Sequence, residues 1–272
     1  MRIIPMTAKP EKANAKPTEL IRKATSRKEI AAFLRHPDAL VRTAFASSPH
    51  ASEADVAILS KDADPFVRAA VASRRTLDPK LRDRLIKDSH PLTRRACAYA
   101  LDLSPAQIDV LVADFDIVVK ATVALLPSLS EGNVISLAGD ASEHVRLSVA
   151  RRGWDFPLPP KAFPGLLRRA PPEILSTLAR RPGLPEDVTI ELAEKGNSTT
   201  IKNLANNDDA PRAALVAILI RSRKDGRAEA EGRWNALSAH QRLAALDAFS
   251  TARPELAEKA RKKLVAAAGR RS

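Results

Sequence analysis

The side chains able to do chemistry in this chain are thinly spread, and few converge. Five histidines stand at 36, 50, 90, 144 and 240, with no HExxH or comparable metal-binding interval among them. The single cysteine, Cys97, excludes a disulfide framework or a cysteine-rich metal or iron–sulfur site. It occupies the same apolar slot as Val71 and Val123, which makes it core rather than nucleophile. There is no glycine-rich phosphate loop and no G-x-S-x-G. The remaining candidates are charges in series and one aromatic loop. Arg42, Arg68, Arg94, Lys120 and Arg146 recur at one fixed interval, one cation per step along a single edge. A row of this kind can track a phosphate backbone. Asp62, Asp88, Asp114 and Asp140 keep the same interval, each six positions before a cation, and suggest internal ion pairs instead.

The two series fail together. In the last two repeats the basic position becomes Leu175 and Ile201, and the acidic position becomes Arg169 and Lys195. Joint loss is what mutual pairing predicts, so the ladder is assigned a structural role ahead of a binding one. Three arginine doublets, Arg74-Arg75, Arg151-Arg152 and Arg180-Arg181, fall where a helix should end. Cations there complement the helix dipole and cap free carbonyls, each contributing about 0.3–1 kcal/mol. They serve equally well as a local basic patch.

The aromatic loop is Arg151-Arg-Gly-Trp154-Asp-Phe156-Pro-Leu-Pro-Pro160-Lys. Trp154 and Phe156 on a proline-stiffened loop lose little entropy on binding, and Trp with Arg is the pairing enriched at interface hot spots. Arg151, Arg152, Arg180 and Arg181 join them as partner-binding candidates. The reading placed slightly ahead of this is a packing wedge filling the gap where two sub-arrays of different curvature meet; the loop is still the best candidate site on the chain.

The element that must carry these groups is set by a recurring alanine. Positions 46, 72, 98, 124 and 150 are evenly spaced, the step to 179 is longer by three, and the step to 205 returns to the first interval. A second series, Phe33, Leu59, Leu85, Leu111, Leu137, Leu166 and Leu192, keeps the same rhythm. Periods of this length mean stacked units that bury their apolar faces against neighbours. Within one unit, Asp64-Pro65 gives a cap and first helical residue. Val67, Ala70 and Val71 then follow the i, i+3, i+4 spacing of a buried helical face. A second helix starts at Asp78-Pro79, or at Ser104-Pro105 in the next unit. Two helices in so short a unit leave no room for strands. The expectation is an all-α solenoid of about seven repeats.

The string Asp62-x-Asp64-Pro65-x-Val67-Arg68-x-Ala70-Val71-Ala72 resembles the leucine-rich repeat variant family, a relative of HEAT repeats, over residues of about 30–207. The resemblance implies a right-handed superhelix in which α-helices alternate with shorter 3₁₀-like helices, and Asp–cation pairs that tie adjacent repeats. Some members carry an iron–sulfur centre on an N-terminal cysteine cluster; with Cys97 alone, that cofactor is not carried over, and no cofactor is expected. Some HEAT-like proteins are DNA glycosylases with a basic groove, tryptophans and a catalytic aspartate. Trp154-Asp155 echoes that pattern, but the rest of the aromatic set is missing and the repeats are neutral.

Net charge is +13, yet residues 36–220 hold 23 acidic and 23 basic side chains. The excess therefore lies at the ends. Residues 1–17 are Lys/Pro/Ala-rich and expected to be a disordered basic tail. Residues 18–207 form the array, with its break near 153–163, and 208–272 form a C-terminal helical cap. That cap opens with an apolar helix after Pro211, includes a capping box at Ser238–Gln241, and ends in a helix from Pro254 bearing Lys259, Arg261, Lys262 and Lys263. This last helix suits an acidic surface, or is simply solvated. The start of the chain has no apolar run, and no stretch approaches the roughly 18 apolar residues of a membrane span. A cytoplasmic protein is expected. The functional expectation is a non-catalytic scaffold that binds a protein, with basic termini adding attraction. The alternative is nucleic-acid binding through those termini and the doublets.

Overall fold

The computed structural model describes residues 21, 27–99, 103–221 and 226–268; the basic tail expected over 1–17 lies outside them. Among the described residues the chain is all-helical, with 18 α-helices, a 3₁₀ turn and no strand. Contacts divide it into two compact units, one ending at Val123 and the next beginning at Ala124. This boundary falls ahead of the lengthened step, not at it.

The first unit contains α1 (Arg27–Leu34), α2 (Ala39–Ala46), α3 (Glu53–Leu59), α4 (Pro65–Ala72), α5 (Pro79–Leu85), α6 (Pro91–Ala98), α7 (Pro105–Val112) and α8 (Ile117–Val123). Helices α2, α4, α6 and α8 pack in succession, each on the one before. The second unit begins with α9 (Glu131–Ala138) and α10 (Glu143–Ala150). A 3₁₀ turn at Pro160–Ala162 then leads into α11 (Phe163–Leu167), α12 (Pro172–Leu178), α13 (Glu186–Lys195) and α14 (Ser198–Ala205). The chain closes with α15 (Ala213–Ile220), α16 (Arg227–Ala236), α17 (Ala239–Ala252) and α18 (Pro254–Ala268). Here α10, α12, α14 and α16 form the stacked row, and α15 packs against α16, α17 and α18.

Sequence dictates the helix starts. The Asp38, Asp64 and Asp116 carboxylates accept from the N–H two residues on, at 2.8 Å in each case. At the equivalent cap of α6, His90 Nδ1 accepts from Leu92 N–H. Ser52 with Asp55 and Ser104 with Gln107 make reciprocal capping boxes. Side-chain caps at Ser52, Asp78, Ser104 and Ser130 open the second helix in four repeats, α3, α5, α7 and α9, while α11 and α13 start without one. The 3₁₀ alternation implied by the family resemblance is absent among the described residues except at Pro160–Ala162.

Burial follows the two apolar series. All seven ladder alanines are at most 1% exposed, and so are Leu59, Leu85, Leu111, Leu137, Leu166 and Leu192. Cys97 is fully buried, and burial pushes its thiol up to about 12, so it carries no thiolate chemistry at neutral pH. At the irregular step the core is filled by Leu158, Ala162 and Phe163, all buried. Gly165 lets α11 approach α9, since a Cβ there would lie 2.7 Å from the Ala138 carbonyl oxygen. The C-terminal apolar helix is buried along its whole length, Ala213 to Ile220, as a capping element requires. Helix α16 has no counterpart in the alanine beat because Glu231 stands where the next alanine would fall. No described helix is long and apolar enough to cross a membrane.

Candidate functional site

The cation ladder is consumed by the scaffold in the first unit. Arg42 donates through Nε and Nη2 to both carboxylate oxygens of Asp62, at 2.7 and 2.9 Å. Arg68 does the same to Asp88 at 2.8 and 2.8 Å, and Arg94 to Asp114 at 2.6 and 3.0 Å. These are bidentate, charge-assisted contacts. The partner is in each case the downstream aspartate, which belongs to the next repeat. The aspartate six positions upstream contributes its backbone instead: Arg68 Nη1 donates to the Asp62 and Ala63 carbonyls. Each arginine therefore ties its own repeat to the next. Burial alone would raise the Asp62 and Asp88 carboxyls, but the arginine and the N–H of Asp64 or His90 hold both below the usual range. Lys120 and Asp140 each have polar partners of their own.

A second ladder, not distinguished from a dipole effect in the sequence, stands two residues after four of the seven alanines, Ala72, Ala150, Ala179 and Ala205. Arg74 Nη1 donates to the carbonyls of Ala46 and Ser48. Arg152 reaches Ala124 and Leu126, Arg181 reaches Ala150 and Arg152, Asn207 reaches Ala179 and Arg181, and Arg233 reaches Ala205 and Asn207. Each side chain satisfies a pair of carbonyls at or just past a helix end, which no helix bond reaches. Arg233 extends this arrangement to α16. Arg152 and Arg181 are 4% and 3% exposed, and burial pulls both guanidinium groups below the usual arginine value. One arginine of each doublet is thus internal, leaving Arg75, Arg151 and Arg180 exposed.

The aromatic loop is held rigid from below. Arg181 Nη2 donates to the Phe156 carbonyl at 2.9 Å, Phe156 N–H closes a turn on Gly153, and the Arg152 guanidinium lies 5.7 Å from the Phe156 ring centre. Phe156 is 37% exposed and Trp154 is 60% exposed. A side chain that open fills no gap, so Trp154 is not the packing wedge; Leu158, Ala162 and Phe163 take that role. Trp154 instead forms one wall of a recess of about 480 Å³ with Arg151, Ser176, Thr177, Arg180, Thr199 and Asn203. A second recess of about 380 Å³ shares Trp154, Arg180 and Asn203 and runs to Asn206, Asp208 and Asp209. Asn203 Nδ2 donates to the Ser176 carbonyl, which fixes the carboxamide on the recess floor.

No family model, curated protein or solved structure matches this chain. The site is therefore read from its geometry. It offers an indole face, two guanidinium groups, hydroxyls and carboxamides, without a nucleophile–base pair. Among the described residues no cluster of three His, Cys, Asp or Glu side chains could hold a metal.

Asn203, Thr177 and Asn206 were not singled out by sequence. Their signal lies in the beat: the residue two before each alanine runs Ala44, Ala70, Ala96, Thr122, Ser148, Thr177, Asn203. The residue after it runs Ser47, Ser73, Tyr99, Leu125, Arg151, Arg180, Asn206. The first position turns from alanine to polar toward the C-terminal repeats, and the second passes from serine through Tyr99 and Leu125 to arginine and asparagine. The terminal basic cluster is less concentrated than its sequence. Lys263 Nζ caps the Ile220 carbonyl at 3.0 Å, Lys262 pairs with Glu258, and Arg261 lies 3.7 Å from Asp247. Lys259 is exposed.

Proposed function

We propose that the chain is a non-catalytic helical-repeat scaffold, of the leucine-rich repeat variant kind, that holds a segment of a protein partner in the Trp154 recess. The observation carrying this reading is the indole of Trp154, 60% exposed on a loop pinned by Arg181 and standing beside Arg151, Arg180 and Asn203. An exposed tryptophan on a stiff loop supplies contact area at small entropic cost, and flanking arginines supply directional donors. Hydroxyls and carboxamides present both donors and acceptors, which suits a peptide backbone. Asp208 and Asp209 close one end of the groove and would repel a continuous phosphate chain. The basic ladder cannot serve nucleic acid while it is bonded to Asp62, Asp88 and Asp114.

The test is capture from the native host by the full chain, with and without nuclease, alongside Trp154→Ala and Arg180→Glu. A partner retained after nuclease and lost in both variants supports the reading. Nuclease-sensitive capture, or affinity falling steeply between about 50 and 200 mM salt, would replace it with nucleic-acid binding.

A further inference from the structure

The two recesses that share Trp154 carry opposite net charge. The first, of about 480 Å³, is lined by Arg151 and Arg180 and by no acidic side chain. The second, of about 380 Å³, is lined by Arg180 together with Asp208 and Asp209. Trp154, Arg180 and Asn203 belong to both, so the pair forms one trough with a cationic end and an anionic end. Asp155, next to the tryptophan in sequence, lines neither recess.

These charges are not consumed by the scaffold. Among the described residues no ion pair or side-chain hydrogen bond holds Arg151 or Arg180, in contrast to Arg152 and Arg181 beside them. Asp209 likewise has no ion pair there, and Asp208 has one at 3.9 Å, with Arg233 Nε, while its side chain is 97% exposed. Asn203 spends its Nδ2 on the Ser176 carbonyl, which leaves Oδ1 as an unused acceptor common to both recesses. Arg151, Arg180 and Asn206 occupy one position of the repeat, just after the stacked helices α10, α12 and α14. Asp208 follows two residues later. Stacked helices stand about 8–10 Å apart, and an extended chain advances about 3.3 Å per residue. About three residues of an extended segment therefore span one repeat.

We propose that the trough selects a partner segment bearing an aspartate or glutamate and, about three residues away, a lysine or arginine. The carboxylate lies between Arg151 and Arg180, the cation lies against Asp208 and Asp209, and a backbone N–H between them donates to Asn203 Oδ1. Guanidinium–carboxylate contacts are charge-assisted and directional, which makes the cationic end the stronger anchor. A segment with two acidic or two basic residues at that spacing meets like charge at one end, which disfavours it. The opposed charges also fix which way the segment lies. Such selectivity presupposes that the recess is a peptide site, as proposed above, and defines what the peptide carries.

The experiment is selection of a random phage-displayed peptide library on the full chain, followed by affinity measurement of the enriched peptides by fluorescence anisotropy at physiological ionic strength. The same peptides are measured on Trp154→Ala, on Arg151→Gln with Arg180→Gln, and on Asp208→Asn with Asp209→Asn, all changes at exposed positions. Peptides that lose binding to Trp154→Ala are recess binders, and these are expected to carry the acidic and basic residues at the stated spacing. The arginine double variant should weaken them about tenfold, because hydrogen bonds to a charged group are lost. The aspartate double variant should weaken them about two- to fivefold, as for a solvent-exposed ion pair, and should have no effect once the peptide's basic residue is alanine. Trp154-dependent peptides that lack this pattern, or whose affinity is unchanged in the arginine double variant, overturn the selectivity and leave the peptide site standing. Absence of any Trp154-dependent peptide overturns the peptide site itself, and the selectivity with it.

Discussion

The two units use one repeat plan but hold it together differently. In the first, successive repeats are joined by buried bidentate ion pairs, with Arg94 and Asp114 only 4% and 5% exposed in their side chains. In the second, most ties are guanidinium and carboxamide groups donated to carbonyls, as with Arg152, Arg181, Asn207 and Arg233, a tie that Arg74 also makes in the first. The second unit's bidentate ion pair, Arg253 with Glu194, lies toward the C-terminal end. The outer surfaces diverge as well. The first unit exposes apolar side chains at one position of the repeat, Leu40 at 70%, Phe66 at 62% and Val118 at 39%. The second presents Trp154, Arg151, Arg180 and Asn203 around a polar recess. Both units bury arginines in the scaffold, but in the second exposed arginines also stand beside an exposed tryptophan. Identical helical rhythm therefore does not imply equivalent surfaces.

The largest expected effect lies in the ion-pair rungs. Arg94→Ala strands the Asp114 carboxylate in a buried site, and breaking such a pair costs about 3–5 kcal/mol. Arg181→Ala in the second unit leaves the Ala150, Arg152 and Phe156 carbonyls unsatisfied without stranding a charge, at about 1–3 kcal/mol. Urea unfolding of both variants checks the ranking. Equal losses would remove the distinction between the two kinds of tie.

Overpacking should instead affect the units alike. Ala98 and Ala179 are 1% and 0% exposed at the contact between stacked helices. Replacing either with Leu is expected to cost about 1–3 kcal/mol, because extra methylenes force neighbouring side chains off their rotamers. A melting temperature unchanged in either variant would show that the alanine beat does not set helix approach in that unit.

Acid separates the units again, by a smaller amount. Asp62 and Asp88 have carboxyls held below the usual range, so the unfolded chain binds more protons as pH falls. Their contribution is fully present above the unfolded aspartate value of about 3.9 and declines as pH drops through the lower folded value. Asp62→Asn with Asp88→Asn should flatten stability against pH in that acidic window. Hydrogen exchange localises the effect to the first unit; an equally strong change confined to the second would contradict the placement of the ion pairs.

Much of this division was legible in sequence, and the reasons for the rest are physical. The alanine and leucine series fixed every stacked helix up to Ala205 because burial at close contact tolerates few side chains. Helix α16 escaped because Glu231 takes the beat position, while the tie through Arg233 survives two residues later. Spacing placed Asp62 beside Arg68 in sequence, yet side chains on stacked repeats meet across the interface, so Asp62 pairs with Arg42. The doublets looked uniform because a sequence does not show which of two adjacent arginines points inward. Arg151 and Arg180 face the recess, while Arg152 and Arg181 cap carbonyls.

Trp154 gives the smallest expected change in stability and the sharpest functional one. Its side chain is largely solvated, and the hydrogen bonds holding its loop belong to Phe156, Gly153 and Arg181. Trp154→Ala should therefore leave unfolding free energy within about 0.5 kcal/mol of wild type, as expected for a surface change away from the packed core. Partner capture should nevertheless fall, because the indole supplies the recess with its one aromatic wall. The control is Phe66→Ala in the first unit, equally exposed at 62% but outside the recess. If Phe66→Ala reduces capture and Trp154→Ala does not, the apolar series of the first unit is the docking face and the polar recess is not. Loss with Trp154→Ala alone assigns recognition to the second unit, where the ion-pair ladder has ended and exposed arginines flank an aromatic side chain.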